Sequence, residues 1–217
     1  MNFQDTQLIG VLARAESTVS SLSNLLGGLV EKFAARGYSL YLVGGSVRDA
    51  LLGRLGNDLD FTTPARPEVV KEILDEWAET VWDTGIDFGT VSAAYKGQQI
   101  EITTFRSDSY DGQSRNPEVV YGDTLEGDLV RRDFKANAMA IELLADASFK
   151  FHDPLHGLQD IADRVLDTPD KPEISFHDDP LRMLRAARFA SQLEFRVADR
   201  VVEAMRDMAG EIQRITV

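Results

Sequence analysis

The chain has 217 residues, 43% of them hydrophobic, enough to bury a substantial core in one large domain or a domain with an appendage. Its formal net charge of -13 argues against a surface that wraps nucleic acid non-specifically, because phosphates would be repelled overall, and leaves room only for a local basic site. The lack of cysteine excludes disulfides and thiolate metal sites, so any metal must be held by oxygen or imidazole, and it suits a reducing cytoplasm. No apolar run approaches the roughly 18 residues of a membrane span, and Met1 to Gly10 has neither the basic start nor the apolar centre of a signal peptide; a soluble, unexported protein is expected.

There is no internal repeat or low-complexity segment, so organisation is read from periodicity. Val19, Leu22, Leu26, Leu29, Val30 and Phe33 recur at helical spacing and predict an amphipathic helix stopped by Gly37, with the residues before Val19 an extension or flexible arm. Tyr38 to Val43 reads as a strand. Gly44 and Gly45 break it, and Ser46 is placed to cap a helix from Val47 to Leu52 that Gly53 ends. Leu59 and Phe61 alternate with Asp58 and Asp60, the pattern of a half-buried strand with an acidic outer face. Val69, Val70, Ile73, Leu74 and Trp77 mark a helix, and Phe88 to Tyr95 with Gln99 to Phe105 read as a hairpin around Lys96-Gly97. Arg106 to Asp128 is expected to be one long irregular loop. From Asp160 the pattern turns helical, which sets a boundary near Asp153-Pro154 and divides the chain at residues 1–37, 38–153 and 154–217.

Two carboxylates at i and i+2 on one strand project from the same face about 6 to 7 Å apart at the backbone and can converge on one cation. Left alone they repel, at a cost of about 1 to 4 kcal/mol at 4 Å between bulk water and a protein surface, which a divalent ion removes. Magnesium suits oxygen ligands and keeps positions open for substrate phosphates, so Asp58 and Asp60 fit a metal-nucleotide site; equally, an isolated D-x-D can decorate a solvated strand. The peptide groups of Gly44, Gly45 and Ser46 can approach a triphosphate closely, at a helix N-terminus with Arg48 in its first turn. Alternatively they form an ordinary strand-to-helix turn with a surface arginine.

Taken together, "LVGGSVRDALLGRLGNDLDFTT" looks like the signature of the class II nucleotidyltransferases, the family of bacterial tRNA CCA-adding enzymes and poly(A) polymerases in the DNA polymerase beta superfamily. "RRDFKANAMAI", "DPLHGLQDI" and "DDPLRMLRAARFA" follow in the same order, so the resemblance covers Tyr38 to about Phe195. It implies an α/β (α+β) nucleotidyltransferase head, a mixed β-sheet flanked by helices, followed by an all-α neck. It also implies attack of an RNA 3′-hydroxyl on the α-phosphate of a nucleoside triphosphate, which needs cations more than a covalent nucleophile. By carry-over Gly45 and Arg48 contact the nucleotide and Asp58 and Asp60 hold catalytic metals; Glu101, in "EITTFR", is the candidate third carboxylate or else a cross-strand charge.

In the fourth block Asp179 and Pro180 have the look of an N-cap and first helical position. Asp179, Arg182 and Arg185 recur every three residues, while Leu181, Met183, Leu184, Ala186 and Phe189 crowd the other directions. The resemblance makes these polar positions a protein template for the base. A carboxylate accepts from the amino group of cytosine or adenine and an arginine donates to the adjacent ring nitrogen, whereas uracil and guanine would set a carbonyl against Asp179. CTP and ATP are thus the expected substrates, and the tRNA 3′ end the expected partner. Arg188 reaches phosphate or a salt-bridge partner. One of Arg131 and Arg132 is expected at the triphosphate; Asn137 bonds ribose or closes a turn, and Asp133 orients an arginine. Lys135 stands where relatives carry threonine and is given no role; the block from Asp153 to Ile161 reads as a structural joint with Gly157 serving backbone geometry. His152, His156 and His177 are too scattered for a metal cluster. Three functions compete: CCA addition in whole or part, poly(A) synthesis, and a non-catalytic nucleotide- or RNA-binding module. Because the chain stops soon after its fourth block, it is expected to be the amino-terminal portion of a longer protein, while oligomeric state is not legible.

Overall fold

A computed structural model describes residues 3–109 and 118–215. Helix α1 (Phe3–Ala35) leads to β1 (Leu40–Val43), α2 (Gly44–Leu51), β2 (Asp58–Thr63), α3 (Pro67–Asp75), β3 (Thr80–Trp82), β4 (Thr90–Tyr95) and β5 (Gln98–Thr104). Then come β6 (Arg106–Ser109), β7 (Glu118–Tyr121), α4 (Leu125–Val130), β8 (Ala140–Leu143), β9 (Phe149–His152), α5 (Gly157–Asp163) and β10 (Val165–Leu166). Helices α6 (Pro172–Asp178), α7 (Leu181–Leu193) and α8 (Asp199–Asp207), with β11 (Arg196–Val197) before α8, complete it.

Seven strands form one mixed sheet in the order β3-β4-β5-β2-β1-β8-β9. The β2–β5 pair is parallel, and its register sets Asp60 opposite Glu101. Along β2, Leu59 and Phe61 point into the core and Asp58 and Asp60 out, as the alternation predicts. The alternation then stops: Thr62 and Thr63 are both buried, because their hydroxyls donate to the carbonyls of Thr103 and Ser39. The central strand is thereby anchored directly below the two aspartates.

Several sequence expectations are corrected. The N-terminal helix is not confined to residues after Val19 but runs from Phe3, and its stripe continues upstream through buried Val11 and Ala15. Ser46 does not cap α2, whose N-cap is Val43; it lies inside the helix, where its hydroxyl accepts from the Asp60 amide at 2.9 Å and donates to the Asp58 carbonyl at 3.4 Å. It therefore ties the glycine turn to the aspartate strand. Trp77 falls beyond α3 and stacks on Tyr95 with ring centroids 3.9 Å apart. Phe88 precedes the hairpin in a 3-10 turn, and β3, a short edge strand, went unread. The hairpin turn itself is as expected, with Lys96 and Gly97 both at positive φ, 47° and 77°. Arg106 to Asp128 is not a single irregular loop: β6 and β7 pair antiparallel, and Thr124 caps α4 by accepting from the Gly127 amide. Residues 110–117 of that predicted loop lie outside the described residues. Asp179 closes α6 and also has the capping geometry expected at the start of α7: its backbone is extended, its carboxylate accepts from the Leu181 amide at 3.0 Å, and Pro180 is helical; Leu184 is exposed rather than packed. Among the C-terminal helices, β10 and β11 form a two-residue parallel pair that the helical pattern hid.

One hydrophobic core joins α1 and the sheet to Ile161, Leu166, Ala186, Phe189 and Leu193, so α7 shares the interior of the sheet layer, while Phe176 of α6, Met183 of α7 and Val201 and Ala204 of α8 form a separate apolar cluster. At their joint the Asp153 carboxylate accepts from the amides of Gly157 and Leu158, Asp167 pairs with Lys135 and Arg200, each at 2.7 Å, and Lys135 thus has a structural role. Gly157 is required by contact rather than by φ: a Cβ there would press into the Lys135 carbonyl and lie 3.0 Å from Met139 Cγ. Gly157→Ala is therefore expected to cost more than about 2 kcal/mol. Gly27→Ala, in α1 with no atom within 4 Å of the added methyl, is expected to stabilise by up to about 1 kcal/mol. Urea denaturation midpoints check both.

Candidate active site

The outer face of β2 and β5 carries Asp58, Asp60 and Glu101. Asp58 and Asp60 are exposed at the surface of the strand, and the parallel register brings Glu101 beside Asp60. Although Asp60 reaches solvent, partial desolvation by the surrounding cleft raises its pKa, and the Glu101 carboxylate raises it further, with a smaller push from Asp58; Arg132 and Arg48 pull it back. Negative charge at this point is stored against the fold. A divalent cation fits such a face: oxygen donors, mutual repulsion to relieve, and open space beyond. Among the described residues no group of three His, Cys, Asp or Glu converges closely enough to hold an ion alone, so Asp58 and Asp60 would supply part of its shell and a substrate the rest.

Facing the carboxylates is an open cleft of about 970 Å³, lined by every sequence-predicted site residue except Ser46 and Asp58. Seven arginines and four carboxylates line it, reversing locally the chain's net charge of -13 and suiting the cleft to a polyanion. The double glycine admits the arginines as well as any ligand. Gly44 has φ +67°, and a Cβ there would sit 2.9 Å from Arg132 Nη1; one on Gly45 would sit 3.3 Å from Arg48 Nη2.

Most of these guanidiniums are anchored from behind. Arg48, buried, makes a fork with Asp49 at 3.0 and 2.8 Å and donates through Nη1 to Asn137 Oδ1 at 2.7 Å. Asn137 donates in turn to Asp133 Oδ1 at 2.9 Å, and Asp133 Oδ2 accepts from Arg185 Nε at 2.7 Å. Asp133 does orient an arginine, as the sequence suggests; Asn137 bridges two charged groups, a role the sequence reading did not foresee. Arg182 donates to Ser175 Oγ and, at 2.6 Å, to the Arg131 carbonyl. With five N–H groups per guanidinium, these bonds leave others for a ligand. Asp179 accepts from the Leu181 amide through Oδ1. Arg188 is exposed at the rim, its guanidinium 4.7 Å from the Phe189 ring centre.

Sequence reasoning missed Asp128, Asp49 and Phe189. Asp128 is buried, with Oδ1 on Arg131 and Oδ2 on Arg132, each 2.9 Å away. Burial works to raise its pKa, but the charges and hydrogen bonds of Arg132 and Arg131 outweigh that and hold it below the usual carboxylate range. The signal was present, an acid three and four residues before two arginines on a helix end, but α4 has only six residues and its period was too short to read.

The family model described as the poly A polymerase head domain matches residues 40–167, more than half of the chain. The chain belongs to the poly(A) polymerase head-domain family. Among curated relatives, the CCA-adding enzyme of Lactobacillus helveticus is 42% identical over 182 residues, 83% of this chain and 44% of its own length. That of Listeria monocytogenes is 40% identical over 190 residues, 87% of this chain and 46% of its own. The chain thus spans about half the length of the curated relatives it matches. Among solved structures, the Bacillus stearothermophilus CCA-adding enzyme in complex with CTP superposes with a TM-score of 0.76 at 36% identity, covering 89% of this chain and 45% of that one. A tRNA nucleotidyltransferase complexed with a primer tRNA and an incoming ATP analog superposes with 0.69 at 30%, covering 88% and 50%.

Two measurements probe this head-domain site. The raised pKa of Asp60 means that ionising it costs stability, a cost fully present above its folded pKa and absent below the unfolded value. Asp60→Asn is therefore expected to raise the melting temperature at pH 7.5, in buffer freed of divalent cations by chelator, by about 1 to 4 °C. Asp128 has the opposite sign. Its stabilisation is complete above the unfolded carboxyl's pKa near 4 and is lost as pH falls on through the lower folded value. Asp128→Asn is expected to cost about 3 kcal/mol at neutral pH and progressively less as pH falls below the unfolded carboxyl's pKa near 4, measured by denaturant unfolding.

Proposed function

We propose that this chain is the head and neck of a tRNA nucleotidyltransferase that adds CCA, or part of it, to the tRNA 3′ end from CTP and ATP, with Mg2+, in the cytoplasm. The head is taken as residues 38–153 and the neck as 154–217. The observation that carries this reading is one cleft in which the Asp60–Glu101 strand pair faces an arginine wall that continues into Asp179 and Arg185. The curated relatives quoted above are named CCA-adding enzymes, which supports the tRNA reading.

The triphosphate binds along the glycine turn, where Gly44 and Gly45 remove side-chain bulk and Arg48, Arg131 and Arg132 neutralise its charge. Asp58 and Asp60, with Glu101 beside them, would hold the magnesium, which when bound would supply a Lewis acid for the attacking hydroxyl and positive charge for the leaving group. Arg48 and Arg132 keep the α-phosphate close to Asp60, so that the 3′-hydroxyl attacks in line, a phosphorus–oxygen bond forms, and the α–β bond breaks to release pyrophosphate. At the other end Asp179 and Arg185 meet the base. The Leu181 amide fixes Asp179 and the Asp133 carboxylate fixes Arg185, so acceptor and donor are pre-set for cytosine or adenine. Mispaired carbonyls of uracil or guanine would face Asp179.

A poly(A) polymerase is the second reading, favoured by the description of the matching family model. Incubating the chain with magnesium, tRNA lacking CCA, and CTP, ATP, UTP or GTP singly and together separates the two. Extension with CTP then ATP that halts at CCA, and at least a thousandfold loss in Asp58→Ala/Asp60→Ala, is expected. An open A ladder would establish the poly(A) reading, whereas CTP binding without extension by the chain or by a longer form carrying it would leave a binding module.

A further inference from the structure

The aromatic ring of Phe189 lies where three of the cleft's cations meet. The guanidinium carbons of Arg48, Arg185 and Arg188 lie 5.1, 5.3 and 4.7 Å from its centre. Two of these arginines come from α7 and one from α2, so the ring connects the glycine turn to the base-facing helix. Phe189 is 6% exposed, and the fully buried Phe134 meets it edge-on, with centroids 6.0 Å apart and planes at 89°. Its position is therefore set by the core.

Three like charges around one point repel one another, and carboxylates answer only part of that. Arg48 has Asp49 and Arg185 has Asp133, but among the described residues Arg188 has no ion-pair partner. A benzene ring presents negative charge density on its faces, so it attracts guanidinium groups without competing for the N–H donors a ligand needs. A third carboxylate beside these arginines would compete. It would consume those donors and repel a triphosphate. Carboxylate and amide partners fix Arg48 and Arg185 along their N–H directions, while the ring supports them by π contact.

We propose that Phe189 is a positioning residue that couples the phosphate-binding arginine to the base-reading one. Through its ring Arg48 and Arg185 are held at a fixed separation, so nucleotide affinity and base discrimination depend on the same side chain. This rests on the nucleotidyltransferase reading above.

The test compares Phe189→Leu, which keeps apolar bulk but loses the ring, with Phe189→Tyr, which keeps it. Dissociation constants for CTP, ATP and UTP in magnesium are measured by equilibrium dialysis on the 217-residue chain, alongside thermal midpoints. Phe189→Leu is expected to weaken CTP and ATP roughly tenfold and to shrink their advantage over UTP, while Phe189→Tyr stays within about twofold of the original. Phe189→Met replaces the leucine variant if that fails to fold. Unchanged CTP affinity and discrimination in Phe189→Leu or Phe189→Met would overturn the inference, as would equal loss in the tyrosine variant, which would make the position one of packing alone. If the unsubstituted chain binds CTP and the variants match it, only this inference falls; if it binds no nucleotide, the nucleotidyltransferase reading falls too.

Discussion

A single hydrogen-bonded chain, running from Asp49 through Arg48, Asn137 and Asp133 to Arg185, holds the site together. It begins on the helix after the glycine turn, crosses a 3-10 turn before β8, and ends on α7. Buried or half-buried charges of both signs alternate along it, so each guanidinium has an acceptor and each carboxylate a donor. Breaking one link would leave a desolvated charge without compensation, which in a protein interior costs far more than the link itself contributes. The geometry of the cleft is therefore cooperative: α2 and α7 cannot shift independently while that chain is intact.

The cleft divides its charges by side. The β2 and β5 face gathers carboxylates, among which the ionisation of Asp60 works against the fold, whereas the opposite wall gathers arginines that buried Asp128 stabilises. On the proposed reading, a metal-bound triphosphate would bring its cation to Asp60 and its phosphates to Arg48, Arg131 and Arg132. This separation also reconciles an acidic chain with a polyanionic ligand. The net charge of -13 keeps nucleic acid from adhering indiscriminately, and seven arginines concentrate attraction in one place.

Continuity of the core gives this arrangement its rigidity. Phe189 belongs to the same apolar cluster as Leu59 and Phe61 of the aspartate strand, and Val47 and Leu51 of α2 lie in it as well. The strand holding the carboxylates, the helix holding Arg48 and the helix holding Arg185 thus share one interior, and the close packing of such interiors transmits position between them. Around the joint, Gly157 against Lys135 and the pairing of Asp167 with Lys135 and Arg200 keep the C-terminal helices seated on the sheet.

Local chemistry accounts for what the amino-acid sequence by itself determined. Period-two alternation at Asp58 to Phe61 set both the strand and its acidic face, the 3.6 period set the C-terminal half of α1, and the Lys96-Gly97 pair set a hairpin turn. Four ordered motifs identified the family, and all but two of the site residues named from the sequence line the cleft. Tertiary structure decided the pairings. Whether Ser46 capped a helix or bonded the Asp60 amide depended on the β1–β2 register, and the closeness of Glu101 to Asp60 depended on a parallel pairing that no short-range pattern encodes. Asp128 looked like the end of a loop until two arginines closed on it, and Phe189 looked like an ordinary core residue until α2 brought Arg48 over its ring. Backbone propensity and side-chain period act within a few residues, whereas the partners of a buried charge are chosen by the fold, which brings together groups as distant in sequence as Arg48 and Asn137.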